Sequence, residues 1–282
     1  MSEIAKQLLN RGFVLIPGFL DLKEVEAFGR DYDGGQFDRT VYTLGHATPE
    51  TIELISQKIS ILLTEFDGIV EFQPSHFGGG TYFSTEKGIN FGWHQDHESY
   101  FVNQTHQHYL NIYMPIKKPE LESTNLCVIP IDRFRERASK AWSALEWGGA
   151  SSAQIEGGCT KISNDHAGGM RAMLDFELEE LSETPKLAAG DALLLRGDIF
   201  HRTQDNDTAR VALSVRAFNP DITVAKEHYE QSCPAKRWFQ DNNPMYAAIS
   251  RAFEDRYTMT LSDLMAFIFK ARQLREQEAK RK

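Results

Sequence analysis

Between Ile69 and Phe218 the chain is cut into short runs of β-branched and aromatic residues separated by Gly, Pro, Asn and Asp. This punctuation constrains the fold more than any other feature, because such runs have the length of strands and are bounded by turn-forming residues. The runs are Ile69 to Phe72, Thr81 to Ser84, Tyr109 to Ile116, Leu126 to Ile129, Ala192 to Leu195 and Val211 to Phe218. Many short strands in one stretch point to a sandwich or barrel. The Gly78-Gly79-Gly80 run neither precedes a clear helix nor carries a Lys-Ser/Thr end, so it reads as a bend or bulge and not as a phosphate loop.

Helical patterns flank this stretch. Phe13 to Ile16 reads as a short strand and Pro17-Gly18 as a turn; Asp21 with Glu24 three residues on marks a capped helix start. Thr48-Pro49 opens a helix that carries Ile52, Ile55, Ile59, Leu62, Leu63 and Phe66 on one face. Phe134 to Trp147 reads as helix, and the Gly-rich stretch from Trp147 to Met170 as an insertion of loops that forms a lid or rim. After Pro244 helical periodicity returns and ends in a Lys/Arg/Glu-rich tail from Lys270 to Lys282, read as a solvated face, with an anionic membrane or partner surface as the alternative. The expected organisation is a single domain over residues 1–282: a β-core at about 69–218, a helical N-terminal region over residues 1–68 and a helical C-terminal extension over 219–282.

Composition narrows the class. At 282 residues with 41% hydrophobic and 11% aromatic residues, the chain can bury a sizeable core and is not disordered. No apolar run approaches the roughly 18 residues of a spanning helix. The start Met1-Ser2-Glu3-Ile4 shows no secretory pattern, so a cytoplasmic location is expected. Cys127, Cys159 and Cys233 are odd in number and widely spaced, which favours reduced thiols over a disulfide framework or zinc site. A net charge of -9 speaks against nucleic acid and leaves a small molecule as the expected partner. The sequence does not fix an oligomeric state.

Of the nine histidines, one set combines into a site. His94 and Asp96 are two residues apart after Gly92-Trp93, and residues at i and i+2 project to the same side of an extended chain. A lone pair of this kind is also what a hydrogen bond or salt bridge looks like. His201 is the best third partner, just after Gly190-Asp191 and the apolar run Ala192 to Leu195, which would carry it back into the fold. Two imidazoles and one carboxylate occupy one face of an octahedron, the ligand set of non-haem Fe(II) oxygenases. Nine residues past His201, Arg210 opens the last run; a buried guanidinium fits a carboxylate bidentately, or else pairs with Asp205 or Asp207 in the preceding loop.

The ordered combination of Gly12-Phe13-Val14-Leu15-Ile16-Pro17-Gly18-Phe19-Leu20, Trp93 to Tyr100, Asn125 to Pro130, and Gly190-Asp191 through His201 to Arg210 resembles the Fe(II)/2-oxoglutarate dioxygenases of the phytanoyl-CoA dioxygenase and ectoine hydroxylase type. The resemblance covers residues 12 to 218. It implies a mainly β fold, a double-stranded β-helix (jelly-roll) with flanking helices. It implies Fe(II) held by His94, Asp96 and His201, and 2-oxoglutarate with its distal carboxylate on Arg210. Asn111 takes a strand position that often donates to the co-substrate, with an Asn bonded within the sheet as the alternative. O2 is the other co-substrate, ascorbate a possible reductant, and succinate and carbon dioxide the co-products. Two departures stand out. The usual Pro-Gly-Ser-His segment reads here as Asn125 to Pro130 followed by Ile131-Asp132-Arg133, and Ala212 sits where a hydroxyl often assists. Because Asp96 is intact, hydroxylation is expected over halogenation.

Substrate residues are less legible. Tyr100 matches an aromatic near the substrate in relatives, or is wall packing; Arg216 shares strand parity with Arg210 and faces the cavity, or reaches solvent past the strand end. His97, His106 and His108 lack a carboxylate partner at ligand spacing and are not expected to form a second metal site, and His46, His76, His166 and His228 read as ordinary surface or loop residues. Beside hydroxylation of a small metabolite stand three alternatives: desaturation or cyclisation with the same cofactors, a non-catalytic metal- or ligand-binding jelly-roll, and a cupin-like enzyme without 2-oxoglutarate.

Overall fold

The computed structural model describes residues 1–35, 45–85, 91–96, 107–145, 150–164, 169–205, 207–230 and 244–280. Helix α1 (Glu3–Arg11) is capped by Ser2, whose side chain accepts from the Ala5 amide, and runs into strand β1 (Phe13–Ile16). Gly12 makes that corner at φ 81°, and a Cβ there would fall 2.6 Å from Ile131. Helix α2 (Leu22–Gly34) begins with the capping box of Asp21 and Glu24. Then come β2 (Gly45–His46), α3 (Pro49–Thr64) with Thr48 as its cap, β3 (His76–Ser84), β4 (Tyr109–Lys117) and β5 (Leu126–Val128). Two short helices, α4 (Ile131–Arg137) and α5 (Ser139–Leu145), lead to β6 (Ser151–Glu156), β7 (Cys159–Asn164) and β8 (Met170–Leu174). The remainder is β9 (Ala192–Arg196), β10 (His201–Thr203), β11 (Val211–Phe218), β12 (Thr223–Ala225), α6 (Lys226–Glu230), α7 (Pro244–Ala252), β13 (Thr258–Thr260) and α8 (Leu261–Lys280).

Six strands form one antiparallel sheet in the order β1-β9-β4-β11-β3-β2. Strand alternation gives it two buried faces. Leu110, Ile112 and Met114 of β4, Leu213 and Val215 of β11, and Leu194 of β9 join Leu8, Phe28, Ile55, Ile59 and Leu62 of the N-terminal helices in one core. The alternate positions Tyr113, Ala212, Leu193 and Leu195 pack on the opposite face with Leu126 and Val128 of β5. A second sheet therefore lies across the first: β5 pairs with β10, and His94 bridges β10 to β6, which continues into β7 and β8. Strands β12 and β13 pair separately, beside an apolar cluster of Val224, Tyr229, Ile249, Phe253, Leu261 and Leu264.

Three expectations change. Ile69 to Phe72 is a turn and not a strand: the Ile69 amide bonds Phe66 O and the Phe72 amide bonds Ile69 O, while the Phe66 and Phe72 rings meet edge to face at 5.1 Å. The expected helix from Phe134 breaks at Ala138 into α4 and α5, and residues 146–149 lie outside the described residues. The expected loop insertion is largely the antiparallel sheet β6-β7-β8. The glycine run does mark a bulge, since Gly78 and Gly79 of β3 fall where the register with β11 slips between Val215 and Ala217. Cys127 and Cys159 are free thiols; Cys233 lies outside the described residues. No helix among the described residues is long and apolar enough to cross a membrane.

Candidate metal centre

The segment Trp93–Asp96 is irregular in itself and is held from both sides. The His94 amide donates to His201 O and the His201 amide to His94 O, both at 3.0 Å, while the Gln95 amide donates to Ser151 O at 2.8 Å and the Ala153 amide to Trp93 O at 2.8 Å. The segment acts as a strand of the second sheet between β10 and β6, so the main chain brings the first and third candidate ligands face to face. Behind them, Trp93 Nε1 donates to Glu179 Oε1 at 2.8 Å, and the Arg202 guanidinium lies 5.2 Å from the Trp93 ring centroid and 3.5 Å from the same carboxylate oxygen. This ties the residue before His94 to the residue after His201.

The side chains converge as the spacing suggests. His94, Asp96 and His201 offer one ligand atom each within 4.8 Å of one another, and among the described residues this is the one such group of His, Cys, Asp or Glu. The His94 and His201 rings lie 4.3 Å apart, and His201 Nε2 is 3.6 Å from Asp96 Oδ1. His94 Nδ1 is 2.7 Å from Gly92 O and His201 Nδ1 is 3.2 Å from Ile199 O. A carbonyl only accepts, so both Nδ1 atoms carry the proton, and the lone pair of each ring is on Nε2, the atom that would ligate a cation. Asp96 is 5% exposed. Burial pushes its carboxyl up, but the Arg216 charge, those of His201 and His94 when their rings are protonated, and a hydrogen bond from Tyr109 outweigh this and hold it at about 2. The group is therefore an anion, ready to ligate.

The inner face of the six-stranded sheet supplies the surroundings. Asn111 and Arg216 are opposite one another in the β4–β11 register. Tyr109 OH and Asn111 Nδ2 donate to Asp96 Oδ2 at 3.2 and 3.1 Å. Arg216 Nη1 and Ser214 Oγ donate to Asn111 Oδ1 at 2.8 and 2.5 Å, and Arg216 lies over the Phe83 ring. Arg216 thus faces the centre, as its parity suggests, instead of leaving past the strand end.

Arg210 sits just before β11, 4% exposed. Its Nη1 donates to Thr124 O at 2.5 Å, its backbone amide to Thr85 Oγ1 at 2.8 Å, and its guanidinium lies 5.7 Å from the Tyr113 ring centroid. The alternative pairing with Asp205 or Asp207 does not form: Asp205 Oδ1 accepts instead from the Thr124 and Asp207 amides. Arg210 has no carboxylate partner among the described residues, and its Nε is buried without a hydrogen bond, as is the Tyr113 hydroxyl. Thr124, which presents its carbonyl to Arg210, adopts φ 55°, an uncommon conformation for a β-branched residue.

Tyr109, Tyr113 and Ser214 were not singled out by the sequence. The usable signal was parity: Tyr109 and Tyr113 alternate with Asn111 on one strand, and Ser214 lies between Arg210 and Arg216 at even spacing. Tyr100, His97 and His106 lie outside the described residues. His108 is away from the cluster, with Nδ1 accepting from the Gln73 amide at 3.1 Å.

The architecture is antiparallel and rich in sheet, with a His-Asp-His cluster carried by the second sheet and faced by the first. No protein-family model matches the chain and no curated protein matches it in sequence. In fold the chain is similar to the crystal structure of SnoK, a non-heme alpha ketoglutarate dependent carbocyclase from nogalamycin biosynthesis, with a TM-score of 0.52 at 17% identity, covering 83% of this chain and 92% of that one. It is also similar to the non-heme monooxygenase ThoJ in its apo form, with a TM-score of 0.50 at 13% identity over 77% of this chain and 78% of that one. The structure of HygX from Streptomyces hygroscopicus with nickel and 2-oxoglutarate bound aligns at a TM-score of 0.49 and 14% identity, covering 78% of this chain and 88% of that one. At these identities the likeness is one of fold.

Proposed function

We propose that the chain is an Fe(II)- and 2-oxoglutarate-dependent oxygenase, a single domain built on a double-stranded β-helix, that hydroxylates an unactivated C–H bond of a small metabolite. The observation that carries this reading is the pairing of a His-Asp-His cluster, in which Asp96 and His201 are buried and His94 half-buried, with a buried guanidinium that lacks a carboxylate partner among the described residues. Two neutral nitrogen donors and one carboxylate oxygen suit Fe(II) and leave one face of its coordination sphere open. When bound, the iron supplies the oxidation chemistry with O2 and 2-oxoglutarate that no side chain possesses, with succinate and carbon dioxide as co-products.

The chain's own residues do the rest. His94, Asp96 and His201 hold the metal, with both imidazoles fixed in the Nδ1–H tautomer by backbone carbonyls. Arg210 binds the distal carboxylate of 2-oxoglutarate, and the Tyr113 hydroxyl beside it adds a donor where Ala212 has none. Asn111, whose amide NH2 also meets Asp96, is assigned to the co-substrate, and Tyr100 and Arg216 to the substrate, Arg216 meeting an anionic group. Phe91, whose ring lies 5.7 Å from that of His94, and Phe83 form an apolar wall that limits access of water. The likeness in fold to SnoK, named a non-heme alpha ketoglutarate dependent carbocyclase, and ThoJ, named a non-heme monooxygenase, supports the same reading.

The test is anaerobic titration of the chain with Fe(II) and 2-oxoglutarate, followed by succinate measurement in air with ascorbate and panels of small metabolites. Joint binding of metal and co-substrate, with substrate-stimulated succinate release, is expected. Failure to bind the two together would overturn the reading, and metal-dependent turnover indifferent to 2-oxoglutarate would replace it with the cupin-like alternative. Product mass separates hydroxylation, which adds one oxygen atom, from desaturation or cyclisation, which removes two hydrogens.

A further inference from the structure

The Asn111 side chain is oriented by its neighbours. Arg216 can only donate, so the atom it meets must be the amide oxygen, and Ser214 Oγ reaches that same oxygen. The amide NH2, which can only donate, is thereby turned toward Asp96 Oδ2, which accepts from it at 3.1 Å. Tyr109 OH joins it on the same carboxylate oxygen, Oδ2, while the other oxygen, Oδ1, is the one 3.6 Å from His201 Nε2. The two carboxylate oxygens are therefore inequivalent before any cation arrives. Tyr109, Asn111 and Ser214 are all buried and lie on two paired strands, so the arrangement is rigid.

We propose that Tyr109 and Asn111 are positioning residues for Asp96: by holding Oδ2 they present Oδ1 as the single donor and keep the carboxylate from chelating the metal through both oxygens. Ser214 and Arg216 act one step further out, by fixing which end of the Asn111 amide faces Asp96. This deepens the metal reading above and rests on it. A carboxylate free to rotate could take a second coordination position, leaving fewer for the co-substrate and oxygen; a carboxylate held by two donors cannot do so without breaking both bonds.

The test uses the full chain with Ni(II), whose binding is read by calorimetry without turnover, and Co(II), whose visible absorption reports coordination number. Asn111→Ala is expected to weaken Ni(II) binding by about 10- to 100-fold, the range typical of partners that orient metal ligands, with Tyr109→Phe at the lower end. Both variants should also shift the Co(II) spectrum toward higher coordination, a change that mere loss of stability would not produce. Unchanged Ni(II) affinity and Co(II) spectrum in a folded Asn111→Ala protein would overturn the proposal. If that variant does not fold, the same result for Tyr109→Phe, which removes one hydroxyl, would overturn it equally. Absence of Ni(II) binding by the unmodified chain would instead refute the metal reading itself.

Discussion

Asp96 shows how much a single residue's role depends on its neighbours. Buried alone, a carboxyl would favour its neutral form; here the Arg216 guanidinium, the two histidines when protonated, and the Tyr109 hydroxyl reverse that preference. Replacing His94 or His201 with Ala is expected to abolish Fe(II) binding, measured by anaerobic titration. Arg210→Ala should leave the fold and metal binding intact while raising the 2-oxoglutarate requirement on the order of 100-fold, because truncating one partner of a buried charge pair costs several kcal/mol. An unchanged co-substrate affinity would refute the carboxylate clamp. A third histidine, His108, gives a pH prediction away from the site. Burial lowers the His108 pKa from its ordinary 6.5, and its Nδ1 must stay unprotonated to accept from Gln73. The unfolded chain therefore takes up the proton first as pH falls, so this contribution to stability is complete above 6.5 and is lost progressively below it. The urea midpoint should drop between about pH 7.5 and about pH 5.5, and by less in His108→Gln.

At the scale of elements, β4 and β11 organise the molecule, since each presents apolar residues to the helices and polar ones to the centre. The alternation was legible in the sequence, and with it the parity of Arg216. Strand β3 offers a sharp test of close packing. A Cβ at Gly80 would meet Leu213 at 2.5 Å and Ile52 at 2.8 Å, whereas one at Gly79 meets nothing within 4 Å. Gly80→Ala is expected to cost about 1–3 kcal/mol by overpacking, and Gly79→Ala to stay within about 0.5 kcal/mol, both measured by urea unfolding. Elsewhere local pattern misled. Ile69 to Phe72 is strand-like in composition, yet the contact between Phe66 and Phe72 folds it into a turn. The Gly-rich stretch after Trp147 looks like loop, yet β6 is held by hydrogen bonds to Trp93 and Gln95, residues more than fifty positions earlier. Pairing across such a separation leaves no periodic trace in either segment.

For the whole molecule, the two sheets act as jaws: the second carries the candidate ligands, and the first carries Tyr109 and Asn111, which bond to Asp96, and leads back to Arg210, the residue proposed to receive the co-substrate. Anything that binds only the folded form must stabilise it, so Ni(II) at about 100 times its dissociation constant should raise unfolding free energy by about 2.7 kcal/mol, with 2-oxoglutarate adding a further increment. Thermal melts should show both increments in the unmodified chain and only the first in Arg210→Ala. The sequence by itself offered the His94/Asp96 pair and the inward parity of Arg216, because these depend on strand geometry that holds over a few residues wherever the strand is placed, and it offered His201 through the apolar run Ala192 to Leu195 that precedes it. Only the tertiary structure decided that Arg210 would lack a carboxylate partner among the described residues, that Asn111 would bond to Asp96, and that Tyr109 and Tyr113 would line the centre. Those outcomes depend on which strands face each other across the core, and hydrogen bonds and charge pairs act over a few ångströms of space whatever their separation along the chain.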